Sequence, residues 1–174
     1  MKKTIWIWQL AGFSVTSFLG TVFHFLYDWL GGPVWIAPIS GINESTWEHM
    51  KLLFWPMLIF AVAQSFFFND REDFWCVKLR GILTGLSLIP ILFYTYNGVI
   101  GRSPDWINIA IFFVSAAAVY IYEAIRFKRT PLPCKNSKLA VAVIVMIALL
   151  FVIFTFFTPE IGIFKDPLSG TYGI

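Results

Sequence analysis

Five apolar stretches, each close to the length of a membrane-crossing helix, limit what this chain can fold into more than any other feature. They lie at about 5–30, 47–68, 76–100, 104–127 and 138–158. A helix rises 1.5 Å per residue, so about 20 residues cover the roughly 30 Å of hydrocarbon in a bilayer. The sequence therefore predicts an all-α fold: a polytopic transmembrane helix bundle of about five spans, forming one membrane domain over residues 1–174. Residues 159–174 follow the last span as an outer tail.

Composition agrees. Hydrophobic residues make up 58% of the 174 positions and charged residues only 13%, about half the share of an ordinary soluble domain. The opening Met1-Lys2-Lys3 has the basic start of a secretory signal, but a cleaved signal carries only about 7–15 apolar residues. Here the run continues through Phe23, Leu26 and Trp29, which marks a retained first span. The net charge is +3, and no basic patch points to nucleic acid.

The connections carry turn residues: Gly31-Gly32-Pro33, Asn69 to Asp73, Gly101-Arg102-Ser103-Pro104 and Pro131-Leu132-Pro133. Orientation follows from lysine and arginine, which accumulate on the cytoplasmic side. With the N-terminus inside, ten of the 13 basic residues are internal: Lys2, Lys3, Arg71, Lys78, Arg80, Arg126, Lys128, Arg129, Lys135 and Lys138. Lys51, Arg102 and Lys165 are external. The N-terminus is then in and the C-terminus out. Cys76 and Cys134 fall at the inner side, where thiols stay reduced, so no structural disulfide is expected.

Most tryptophans, among them Trp6, Trp8, Trp29, Trp35, Trp47, Trp75 and Trp106, lie near span ends, where an amphipathic ring prefers the interface. Small residues mark helix contacts, with Gly12, Thr16 and Gly20 on span one and Gly81 and Gly85 on span three. Pro90 is expected to kink span three. The fifth span is almost wholly aliphatic and aromatic, and so faces lipid more than protein.

The spacing Gly20, His24, Asp28 carries a histidine and a carboxylate to the outer end of the packed face of span one. His24 lies roughly 9 Å below Leu30, a depth at which an ionisable group needs a partner. A neutral histidine bonded to a neighbouring helix, or paired with Asp28, would satisfy it equally. A second cluster, Asn43 to His49, precedes span two. Ser45 and Glu48 fit a capping box, each satisfying a free backbone donor at the helix start, while Glu44 and His49 are left unexplained by it. Histidine and carboxylate together suit a divalent metal such as zinc. On that reading His24, Asp28, Glu44 and His49 are candidate ligands, and Glu48, if not spent on the cap, is a candidate catalytic base. Gln9, Gln64 and Glu123 are further polar positions for an ion or proton relay, although Glu123 is expected to pair with Arg126 or Lys128. Tyr94, Tyr96 and Asn97 lie near the same outer end. The apolar, glycine-spaced tail is expected to fold back over the outer surface, bringing Glu160 and Asp166 near the cluster.

The run Asn43-Glu44-Ser45-Thr46-Trp47-Glu48-His49-Met50-Lys51, closed by Phe54-Trp55-Pro56, resembles the signature of a family of small bacterial multi-span membrane proteins of uncharacterised function. Phe23 to Tyr27 and the terminal Tyr172-Gly173-Ile174 extend the resemblance, which implies a bacterial cytoplasmic membrane. Three classes stay open: a divalent-metal-dependent enzyme acting at the outer leaflet on a lipid-linked or small substrate; an ion- or proton-coupled transporter or channel; and a non-catalytic membrane partner or assembly protein. The expected partners are the lipid bilayer and either a second copy of the chain or another membrane protein.

Overall fold

The computed structural model describes residues 2–101, 104–134 and 136–174, with only the backbone described for Lys2 and Asp105. Arg102 and Lys135, used above for sidedness, lie outside the described residues, as do Met1 and Ser103. Five helices follow in order: α1 (Lys2–Trp29), α2 (Thr46–Ser65), α3 (Phe74–Ile100), α4 (Asp105–Lys128) and α5 (Ser137–Phe156). A single 3-10 turn at Gly162–Phe164 follows. The fold is all-α. The one strand-like feature among the described residues is an isolated bridge between Lys165 and Tyr172.

Four helices, α1, α3, α4 and α5, are long and apolar enough to cross a membrane. The remaining helix, α2, also expected as a span, differs from these four. Its length of about 30 Å suffices, but Glu48, His49, Lys51 and Gln64 leave it short of the apolar composition of the others. It packs against α1, α3 and α4 and buries Leu52, Leu53, Phe54, Met57 and Phe60 in the main core. Its polar groups are tolerated because neighbouring helices, not lipid, cover them. α2 stops at Ser65, short of the expected 68, where the amides of Phe67 and Phe68 turn back onto the Gln64 carbonyl at 3.0 and 3.2 Å.

Small residues decide how closely the helices approach. A Cβ at Gly12 would strike the rings of Tyr120 and Phe60, and one at Gly20 would lie 2.6 Å from Phe112. Between them Thr16 Oγ1 and the Tyr120 hydroxyl share a hydrogen bond of 2.6 Å. On α3, Gly81 and Gly85 give room to Glu123, Val119 and Leu53. Pro56 and Pro90 both sit inside continuous helices. α5 buries only Ala140, Ile144, Phe151 and Thr155, leaving the rest of an aliphatic surface half-buried or exposed.

α1 ends where Gly31 and Gly32 take φ of 80° and 76°, the left-handed conformation that closes a helix at little cost for glycine. The chain then doubles back along α1. The Ser40 hydroxyl donates to the Phe23 carbonyl and accepts from the Tyr27 amide, and the Gly41 amide donates to the same Phe23 carbonyl at 3.0 Å.

Two sequence expectations fail at the opposite, basic end. Glu123 pairs not with Arg126 or Lys128 of its own helix but with Lys78 of α3, at 2.6 Å. Glu123 faces α3 across the space Gly81 leaves, whereas Lys128 sits 4.1 Å above the Trp6 ring. Cys76 and Cys134, expected as separate thiols, form a disulfide with Cα atoms 6.3 Å apart. The linker after α4 folds onto the start of α3, where the Leu132 amide donates to Asp73 Oδ2 at 2.8 Å.

Candidate functional site

Three of the residues singled out in the sequence converge at the end of the bundle opposite the disulfide. His24 lies on the last turns of α1, Glu44 in the returning loop just before α2, and His49 in the first turn of α2. His24 Nε2 is 3.7 Å from Glu44 Oε1, and His49 Nε2 is 3.6 Å from Glu44 Oε2. The two rings have centroids 5.9 Å apart. Each imidazole thus faces a different oxygen of one carboxylate, across gaps longer than a hydrogen bond.

Backbone contacts hold these groups in place. Ser45 is the N-cap of α2 and accepts from the Glu48 amide at 3.3 Å. The reciprocal half of a capping box is absent: the Ser45 amide donates to Asn43 Oδ1 at 2.9 Å instead. His49 Nδ1 lies 3.0 Å from the Ser45 carbonyl oxygen. A donor is required there, so the neutral ring carries its proton on Nδ1 and leaves the Nε2 lone pair toward Glu44.

The tail completes the frame. Asn43 Nδ2 donates to the Gly173 carbonyl at 3.3 Å, and the Phe164 ring lies 4.6 Å from Trp47. Burial opposes ionisation of Asp166, but the Ser169 hydroxyl, the Leu168 amide and the Glu44 amide outweigh it and hold that carboxyl below its usual range.

The other two candidates stand apart. Asp28 is exposed at the end of α1 and makes no ion pair or hydrogen bond with the cluster. Glu48 is 3% exposed and belongs to a different network. Its Oε2 is 2.6 Å from Lys51 Nζ and accepts from the Ile42 amide at 3.1 Å. Lys51, fully buried, also donates to the Ala37 carbonyl at 2.8 Å and to Thr155 Oγ1 of α5 at 3.2 Å. Among the described residues no three His, Cys, Asp or Glu side chains are gathered closely enough to hold a metal ion.

Lys51 was missed as an organising residue because in sequence it reads as one more basic residue near a span end. Its signal was available: Glu48 and Lys51 are spaced i, i+3, so they meet on one helix face.

Two cavities flank His49. A small one, large enough for about one water, is lined by Glu44, His49, Asn108 and Phe112. The other, of about 170 Å³, lies between α1 and α4 and has Thr21, His24, His49 and Asn108 as its polar lining. Gln9, Gln64 and Glu123 are buried toward the basic end. The bundle between them and the histidines is filled by Leu52, Leu53, Phe112 and Ala116.

The signature run therefore supplies most of the bonded groups at this end of the bundle. The model of a family of unknown function, DUF6512, matches residues 1–174. The chain belongs to this family. No curated protein and no solved structure matches it. In this member of DUF6512, residues 43–51 contribute both a buried ion pair and two sides of the histidine–carboxylate group.

Proposed function

We propose that this chain is a multi-pass enzyme of the bacterial cytoplasmic membrane, and that His24, Glu44 and His49 form an acid–base centre facing the outer leaflet. The observation that carries this reading is the pair of Nε2 atoms addressing the two oxygens of one carboxylate. A neutral imidazole accepts a proton near physiological pH, and an adjacent carboxylate stabilises the imidazolium that results. At 3.7 and 3.6 Å the gaps are too short for a third heavy atom to lie between nitrogen and oxygen, so a hydroxyl or a water would reach the centre from its open side. Sidedness rests on lysine and arginine: Lys3, Arg71, Lys78, Arg80, Arg126, Lys128 and Arg129 belong to the end away from the histidines, while the Cys76–Cys134 disulfide at that same end is the contrary observation, since thiols facing the cytoplasm ordinarily stay reduced.

One detail favours a second reading in which the same three residues bind a divalent ion such as zinc. In metal sites the far nitrogen of a ligating histidine is held by a carbonyl or carboxylate, as His49 Nδ1 is held here by Ser45. Zinc ligands sit about 2.0–2.2 Å from the ion, so the three side chains would have to draw inward to bind one. Asp28 and Glu48 take no part in either version.

Infrared spectroscopy tests the first reading. The Glu44 carboxylate band, assigned by its loss in Glu44→Gln, should shift as the imidazoles titrate and stay fixed in a His24→Ala, His49→Ala double variant. A band that ignores the imidazoles overturns the acid–base centre. Elemental analysis decides for the second reading if purified protein holds about one divalent ion per chain and each single histidine variant loses it.

A further inference from the structure

We infer that the groove between α1 and α4 receives the head-proximal end of an uncharged, hydroxyl-bearing lipid entering sideways from the bilayer; the inference rests on the acid–base reading of the centre beside it. The groove has about 170 Å³ of space. That is below the about 300–1,000 Å³ of sites that enclose a whole small molecule. It therefore fits only part of an amphiphile, with the remaining chain left outside. Its lining is mainly apolar, with Leu52, Ile109, Phe112 and Phe113, and carries His24, His49 and Asn108, with Thr21 on the exposed side.

The mouth opens toward lipid. α1 and α4 are two of the four helices apolar enough to cross a membrane, and beside the groove Phe25, Ile109 and Phe113 are exposed to 43%, 57% and 37%. Single exposed apolar side chains are ordinary, but here they line the entrance to a site with a polar floor, on helices whose surroundings are hydrocarbon. The floor in turn selects the head. Glu44 does not line the groove but stands behind both imidazoles, 3.7 Å from His24 Nε2 and 3.6 Å from His49 Nε2, and at that range its carboxylate repels a phosphate or a second carboxylate. A hydroxyl both donates and accepts, so it can give its hydrogen to a neutral imidazole nitrogen of His24 or His49 and accept from a neighbouring donor. An uncharged head also avoids bringing a charge into the low-dielectric region.

The experiment uses the full chain in lipid nanodiscs with three photoreactive probes sharing one diazirine-bearing tail: a long-chain alcohol, a fatty acid and a phosphatidylglycerol. The alcohol should label peptides covering residues 20–25 and 109–113, saturably and in competition with unlabelled alcohol. Thr21→Trp and Ile109→Trp each fill the groove from its exposed side without touching the core. Each should cut that labelling about tenfold or more, the effect of losing roughly one decade of affinity, while melting like the wild type. Equal labelling by all three probes, or labelling that both tryptophan variants leave unchanged, overturns the inference. Glu44→Gln separates the two readings. If it keeps groove labelling but admits the fatty acid as well as the alcohol, groove and centre both stand. Groove labelling with an unchanged preference for alcohol removes the role of Glu44 and leaves the groove. An infrared coupling of Glu44 to the imidazoles without groove labelling removes the groove alone.

Discussion

At the scale of single residues, buried charge is the dominant theme. Lys51 and Glu48 are 0% and 3% exposed and bonded at 2.6 Å. Removing one partner leaves an uncompensated buried charge, so Lys51→Met should cost about 3–5 kcal/mol, while Lys51→Met combined with Glu48→Leu should recover most of it. Thermal unfolding in detergent reads the difference, and an additive double variant would show that the pair does not act as a unit. Three residues earlier the same method separates cap from site. Ser45→Ala removes the acceptor for the Glu48 amide and should lose about 0.5–2 kcal/mol. Glu44→Gln, which keeps the shape of a side chain that caps nothing, should leave the melting point nearly unchanged. Asp73 gives a pH signature. Burial opposes its ionisation, but hydrogen bonds from Arg71 and the Leu132 amide outweigh this and hold the carboxyl below its usual range. A depressed carboxyl stabilises the fold fully above the unfolded value of about 3.9, and that contribution disappears as pH falls through the lower folded value. Melting curves of wild type and Asp73→Asn should therefore differ at neutral pH and converge below about pH 4. A constant difference down to pH 3 would assign the effect to something other than ionisation.

Among the helices, glycine placement controls which pairs can touch. Gly12 and Gly98 both lie within long apolar helices, yet they face opposite circumstances. A methyl at Gly12 meets the Tyr120 and Phe60 rings, whereas around Gly98 there is open space. Gly12→Ala should destabilise by about 1–3 kcal/mol through overpacking. Gly98→Ala should be neutral or stabilise by up to about 1 kcal/mol, since alanine favours the helix. The loop between α1 and α2 depends on α2 for its path. Lys51 donates to the Ala37 carbonyl at 2.8 Å and Trp55 Nε1 to that of Pro38 at 2.9 Å, which brings Glu44 beside His24. At the far end the disulfide closes a separation of 58 residues, a loop length for which a bridge contributes about 2–4 kcal/mol. Denatured protein alkylated without reductant should gain no adduct by mass, and two after reduction. Two adducts without reductant would show the thiols free.

For the whole molecule, the segregation of basic residues predicts which end faces the cytoplasm. A reporter active only outside the membrane should work when fused after Ile174 and fail when inserted at Pro131. The reverse pattern would put the histidine cluster on the cytoplasmic side. The sequence alone determined that the chain forms membrane-length helices, because apolar runs of about 20 residues have few other stable fates. It also gathered His24, Asp28, Glu44, Glu48 and His49 as one candidate set, because ionisable residues stand out against an apolar background. It did not separate α2 from the other helices, since burial by neighbours is not written into a helix's own composition. Nor did it join Lys78 to Glu123 or Cys76 to Cys134, because each pair belongs to different elements, brought together only by helix packing and the path of a linker. The tertiary structure also decided the difference among the five carboxylate and histidine candidates. Asp28 follows His24 by one helical turn and Glu48 precedes His49 by one residue, so spacing treats them as equals. The returning loop, held by Ser40 and Lys51, places Glu44 between the two imidazoles, while Glu48 turns toward Lys51 and Asp28 toward the surface.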